Sequence, residues 1–327
     1  MTEHSKIDSK SKGAASLFER ADKAFGLDAI GAVGVPANLP RPKRRVPQAQ
    51  PAAPAKAKPE AQSIKPAAEK DVAAPVEVHE PAVALCGPLL ETDGERIQAE
   101  GLIVPGQPAT GLLEEFRIVK RELLADARAS SDPKARRILV CSPLPGEGKT
   151  YCATNLAIAL AAERDIEVVL VDADFLKPSV TRRLGIEGAD KGLMDALNDS
   201  SIAPETLVSP TDIEGLFVLP AGNASARDSE LLTSARTGEV LDRITRRAPR
   251  RFVIFDTPPA LAASPAAELA SHVGQALLVV RADYTGRAAL EDARQLLSAC
   301  PDIKLLLNAA QFSPSGRRFG EYGEREE

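Results

Sequence analysis

The stretch Arg137-Ile-Leu-Val-Cys141-Ser142-Pro-Leu-Pro-Gly-Glu-Gly-Lys-Thr150 decides the fold. Its short apolar run reads as a buried strand, and the glycine-bearing turn after it opens onto the helix-like segment 155–162. Gly146 and Gly148 let the backbone curl so that its N–H groups converge on an anion, and a following helix N-terminus adds a favourable field. Lys149 is then placed to meet the β- and γ-phosphates of a nucleotide, and the Thr150 hydroxyl to ligate magnesium. Pro143 stands where the usual GxxxxGK[ST] loop has its opening glycine.

Working outward, similar apolar runs recur at 168–171, 216–219, 252–255, 276–280 and 304–307, separated by helical patterns. Continuous apolar strands alternating with helices predict an α/β fold of the P-loop NTPase type, with a mainly parallel sheet covered by helices on both faces. Ligands in such sheets sit beyond the carboxyl ends of the strands. Three further features fall there. The run Val168–Val171 leads into Asp172-Ala-Asp174, two carboxylates able to hold a metal and to orient or deprotonate a nucleophile. Phe252-Val-Ile-Phe255 leads into Asp256-Thr-Pro-Pro259, where one carboxylate would face the magnesium shell and two prolines would stop the strand. Asn308 follows Leu305–Leu307 and is placed to read a purine edge. The expected nucleotide contacts are therefore Pro145, Gly146, Glu147, Gly148, Lys149, Thr150, Tyr151 and Asn308. The expected metal ligands are Thr150, Asp172 and Asp256, and the expected catalytic groups are Lys149, Asp172 and Asp174.

The 327 residues carry 26 prolines and a net charge of -5. That balance gives no support to nucleic acid as a partner. Five arginines between 243 and 251 have no interleaved aromatic residues on which bases could stack. Four cysteines form no CxxC pair, so the chain reads as reduced and cytosolic. No run reaches the roughly 20 apolar residues that span a bilayer, and the polar start is unlike a secretory signal. Composition divides the chain into a short amphipathic helical region over 1–34, with Ser16 and Glu19 as a capping box, and a Pro/Ala-rich, largely disordered linker over 35–110. A P-loop domain over 111–312 and a tail over 313–327 carrying Tyr322 complete it. The basic knot Arg41, Lys43, Arg44 and Arg45 reads as solvated linker.

The order of PGEGKT, an apolar strand ending in DxD, and an apolar run into DTPP resembles the bacterial tyrosine kinases, P-loop autokinases of capsular and exopolysaccharide synthesis. The similarity extends over about residues 112–310. Glu114-Glu-Phe-Arg117-Ile-Val-Lys120 resembles the family's ExxRxxR helix, which implies ring-like self-association through Glu114, Arg117 and Lys120. Leu219-Pro-Ala-Gly222 and Ser229-Glu-Leu-Leu232 match further family stretches. The segment 16–24 and Val273-Gly-Gln275 are similar to the subgroup linked to exosortase polysaccharide systems. The resemblance implies Mg-ATP held by Lys149, Thr150, Asp172, Asp174 and Asp256, and either DxD aspartate as base for a tyrosine hydroxyl. It also implies a membrane co-polymerase (chain-length determinant) partner, an opposing phosphotyrosine phosphatase, and a cytoplasmic location at the inner membrane through that partner.

Two departures stand out. Leu176 occupies the place of a family arginine, and the usual tyrosine cluster is reduced to Tyr322. They leave open an adaptor that binds and hydrolyses ATP without useful kinase activity. A partition- or division-site ATPase is the other alternative. Those proteins place a second lysine early in the loop, whereas Pro143-Leu-Pro145 has none.

Overall fold

The computed structural model describes residues 82–108, 110–223 and 228–310. The helix expected within 1–34, the linker to 81, its basic knot and the Tyr322 tail lie outside the described residues. The chain divides between Ala73 and Ala74, and every described residue belongs to the second part.

Seven strands form one sheet: β1 (Arg137–Cys141), β2 (Glu167–Asp172), β3 (Ser209–Pro210), β4 (Leu216–Leu219), β5 (Arg251–Asp256), β6 (Gln275–Arg281) and β7 (Ile303–Asn308). Their order is β3-β4-β2-β5-β1-β6-β7. Only β3 runs antiparallel to its neighbour. Side chains alternate across the pleat, so each apolar strand feeds two cores. On β1, Ile138 and Val140 enter one cluster, and Leu139 and Cys141 the other. The first core is closed by α2 (Gly111–Ala129) and α3 (Lys149–Ala161). Against the second lie α5 (Leu193–Asn198), α6 (Asp228–Thr233), α7 (Ala235–Thr245), α8 (Pro265–Leu269) and α9 (Arg287–Leu296). This two-faced burial is the expected α/β architecture.

Two sequence expectations need correcting. Residues 82–110 are not all linker. Asp93 caps α1 (Gly94–Ala99) by accepting from the N–H groups of Glu95 and Arg96, and Leu90, Ile97, Leu102 and Ile103 pack into the first core. The side chain of Asn155 on α3 accepts from Ile103 N–H at 2.7 Å, fastening this strap across the helix that follows the P-loop. Lys120 does not face outward with Glu114 and Arg117. It is buried, and its ammonium donates to Ala159 O at 2.8 Å and pairs with Glu163 at 2.7 Å, tying α2 to the end of α3. Glu114 and Arg117 pair with each other on the helix surface.

Three of the five arginines pair with carboxylates of the fold. Arg243 pairs with Glu205, Arg250 with Asp165, and Arg251, almost wholly buried, with Glu167 while also donating to Ile244 O and Val83 O. The loop after β4 has a comparable tie, because Asp195 of α5 accepts from the N–H groups of Gly192 and Asn223 and from the Asn223 amide.

Candidate active site

All four chemical motifs arrive at the same edge because they end β1, β2, β5 and β7, which belong to one run of parallel strands, β2-β5-β1-β6-β7. Register sets Asp172 beside Asp256, and Val140 beside Asp256. The Walker-type loop leaves β1 one residue after Val140. The turn after β5 then folds over its start, with Ala260 N–H donating to Ser142 O at 2.8 Å and Leu261 N–H to Pro143 O at 3.3 Å.

The loop is shaped for an anion. Gly146 and Gly148 sit at φ 81° and 94°, in the left-handed region that side chains other than glycine seldom occupy. A Cβ on Gly146 would meet nothing within 4 Å, so the positive φ rather than crowding is what calls for glycine there. No side chain caps the N-terminus of α3, leaving its first N–H groups available to a ligand.

The charged groups form a compact set. The Lys149 ammonium donates to Asp174 at 2.8 Å, with both side chains largely buried. Asp172 is almost fully buried and accepts from the backbone N–H groups of Asp174, Ser179 and Val180, the last two at 2.8 and 3.0 Å. Burial raises its pKa above the usual carboxylate range, opposed by those backbone donors. Ser179 and Val180 open α4 (Val180–Leu184), so this short helix is aimed at the Asp172 carboxylate. Asp256 is different: it is fully buried, and neither oxygen has a hydrogen-bond partner among the described residues. Burial pushes its pKa up to about 7, with Lys149 acting against the rise and Asp172 adding to it.

A wholly buried carboxylate with two orphan oxygens is a strong demand for a cation or a proton. Thr150, 6% exposed, lies in the first turn of α3 beside it. No group of three His, Cys, Asp or Glu side chains converges on a point among the described residues. Magnesium takes one or two carboxylates and completes its octahedron with water and substrate phosphates. The donor set of Thr150, Asp256 and Asp172 fits the ion on these grounds.

The structure places the other predicted residues less simply. The Tyr151 hydroxyl donates to Gly101 O at 3.0 Å, turning that side chain onto the strap and away from the loop. The Asn308 amide donates to Glu147 O at 2.8 Å, and its oxygen accepts from Ala309 N–H. Asn308 therefore touches the loop itself in this state. Thr285, absent from the sequence reading, donates its hydroxyl to Glu147. No local signal marks it, because the contact joins positions 138 residues apart.

A parallel sheet with this loop and these carboxylates defines a P-loop protein of the AAA class, and residues 135–310 match the family model described as "AAA domain". The chain belongs to that family and, within it, to the bacterial tyrosine kinases. It is similar to the tyrosine-protein kinase YwqD of Bacillus subtilis, with 29% identity over 240 residues covering 73% of this chain and 97% of that protein. It is also similar to the putative tyrosine-protein kinase EpsB of Ralstonia nicotianae, with 33% identity over 68% of this chain. The tyrosine-protein kinase wzc of Salmonella typhimurium is 31% identical over 57% of this chain. The chain spans only 28% and 25% of the length of these last two relatives. Among solved structures, the BceF tyrosine kinase domain has a TM-score of 0.54 and 24% identity, covering 69% of this chain and 92% of its own. The kinase domain of Escherichia coli tyrosine kinase ETK has 0.53 and 20%, covering 71% and 93%. At those identities the two structures speak for the fold alone.

Proposed function

We propose that this chain is an ATP-dependent protein-tyrosine autokinase that regulates exopolysaccharide synthesis beside a membrane co-polymerase and phosphorylates Tyr322. The observation that carries the reading is the unpartnered, buried Asp256 carboxylate set next to Asp172 and the loop bearing Lys149 and Thr150. Family membership supplies the reaction class, since its named relatives are tyrosine kinases.

In this reading the curl at Gly146 and Gly148 and the uncapped start of α3 hold the phosphates of ATP. Thr150, Asp256 and Asp172 hold magnesium, which when bound neutralises charge on the phosphate oxygens. Lys149 exchanges Asp174 for the β- and γ-phosphate oxygens. That exchange frees the Asp174 carboxylate, which retains one hydrogen bond from Lys177 N–H. Asp172 accepts from three backbone donors and its remaining capacity is assigned to the metal, so Asp174 is the better placed base for a tyrosine hydroxyl. Glu114 and Arg117, on the exposed face of α2, are assigned to contacts between subunits in a ring. The exosortase-linked subgroup, the opposing phosphatase and a location at the cytoplasmic side of the inner membrane belong to the same reading. No helix among the described residues is long and apolar enough to cross a membrane.

Leu176 favours a second reading, an ATP-hydrolysing adaptor. It stands 75% exposed two residues past Asp174, where the resemblance calls for arginine. Phosphopeptide mapping after Mg-ATP incubation, with and without the co-polymerase's cytosolic tail, separates the two. Phosphate on Tyr322 that disappears in Lys149→Met supports the kinase; ATP turnover with no phosphotyrosine in either condition supports the adaptor.

A further inference from the structure

We infer that Thr285 is a positioning residue for the nucleotide loop: it works through the buried Glu147 carboxylate and sets nucleotide affinity without touching the nucleotide. This rests on the nucleotide reading above and adds a determinant from a distant part of the sheet.

Glu147 is nearly inaccessible to solvent, yet it places a negative charge inside a loop shaped for an anion. Electrostatics alone disfavours that choice, so the side chain must supply something else. One carboxylate oxygen accepts from Leu144 N–H at 2.7 Å, closing the loop on itself across Pro145 and Gly146. The other accepts the Thr285 hydroxyl proton. Thr285 has no freedom to point elsewhere, since its oxygen already accepts from Arg281 N–H at 2.9 Å at the end of β6. The direction of this relay is therefore fixed: Arg281 N–H to Thr285, and Thr285 O–H to Glu147.

A second tie runs from β7. Asn308 donates to Glu147 O, and Ala282 N–H donates to Asn308 O at 2.9 Å, joining the turn that carries Thr285 to the same strand end. Gly148 lies so close to Asn308 that a Cβ there would come within 2.1 Å of its amide nitrogen. The loop is thus held on one side by α3 and on the other by the ends of β6 and β7. Preorganisation of this kind lowers the ordering cost of binding.

The test is calorimetric titration of the full chain with ADP and Mg2+, comparing wild type, Thr285→Val and Thr285→Ser. Losing the hydroxyl leaves a buried carboxylate oxygen unpaired, which should weaken Kd by about tenfold. Thr285→Ser, which keeps the hydroxyl, should return Kd to within about twofold of wild type. ATP turnover by Thr285→Val at saturating nucleotide should stay within about twofold of wild type while KM rises, a split that general loosening of the fold would not give. Wild-type affinity in a folded Thr285→Val protein overturns the positioning role and leaves the nucleotide site standing. Absence of binding by the wild type overturns the nucleotide reading itself. Should Thr285→Val not fold, Thr285→Ala removes the same hydroxyl without added bulk, and wild-type affinity there overturns the inference equally.

Discussion

Replacing Asp256 with asparagine should change how the nucleotide-free protein's stability depends on pH. The Asp256 pKa rises from 3.8 to about 7 in the folded chain because the carboxyl is fully buried. A folded-state pKa above the unfolded one means that the native state binds the proton more tightly. The resulting stability is complete below pH 4 and is lost as pH rises through 7. A shift of about three units corresponds to roughly 4 kcal/mol in all, of which about 2 kcal/mol falls between pH 5.5 and 8. Urea unfolding of the magnesium-free, nucleotide-free protein at those two pH values, for wild type and Asp256→Asn, reads the difference directly. Wild type should lose about 2 kcal/mol more than the variant over that interval, since asparagine cannot ionise. Saturating Mg2+ and nucleotide should cancel most of the excess loss in wild type, as a bound cation replaces the proton. Parallel pH profiles for the two proteins would refute the assignment of Asp256 as the buried, unpartnered acid.

Other outcomes follow from neighbouring contacts. Asp174→Asn strands the largely buried Lys149 ammonium and should cost about 3 kcal/mol in the nucleotide-free protein, with part recovered on adding ADP; an unchanged urea midpoint contradicts this. Gly222→Ala should cost roughly 1–3 kcal/mol, because the residue sits at φ 80° and its Cβ would lie 2.3 Å from Asp195 Oδ2, and an unaltered melting temperature would count against that geometry. Burial pushes the Cys141 and Cys152 thiols up to about 12, whereas Cys86 is exposed. Iodoacetamide at pH 8 should therefore label Cys86 in the native protein well before either buried thiol, and peptide mapping showing equal rates would contradict the burial.

The sheet was legible in the sequence because its strands are unbroken apolar runs. Strands β1 and β4 begin and end where the runs do, while β2, β5, β6 and β7 each take in a polar end residue such as Asp172, Asp256, Arg281 or Asn308. Those end residues are where the chemistry collects, so the same pattern pointed to fold and motifs together. Strand β3 carried no such signal: Ser209 and Pro210 pair with Val218 and Phe217 through tertiary placement alone. The strap over 90–103 was hidden by the proline and glycine around it. Its only local marks are the Asp93 cap and the widely spaced Leu90, Ile97, Leu102 and Ile103. Lys120 was placed with Glu114 and Arg117 by the resemblance to the family helix, and nothing local marks that its ammonium instead reaches a carbonyl on α3. Thr285 was out of reach for another reason. A hydroxyl that matters through a contact far along the chain has no periodicity or motif to announce it.

The most direct test of the kinase assignment follows the terminal phosphate of ATP. With γ-labelled ATP and Mg2+, in the presence of the co-polymerase's cytosolic tail, label should appear on tyrosine in the wild-type chain. It should be absent from Lys149→Met and strongly reduced in Asp174→Asn. Label recovered only as inorganic phosphate, with none on tyrosine, would contradict the account and leave a nucleotide hydrolase in its place.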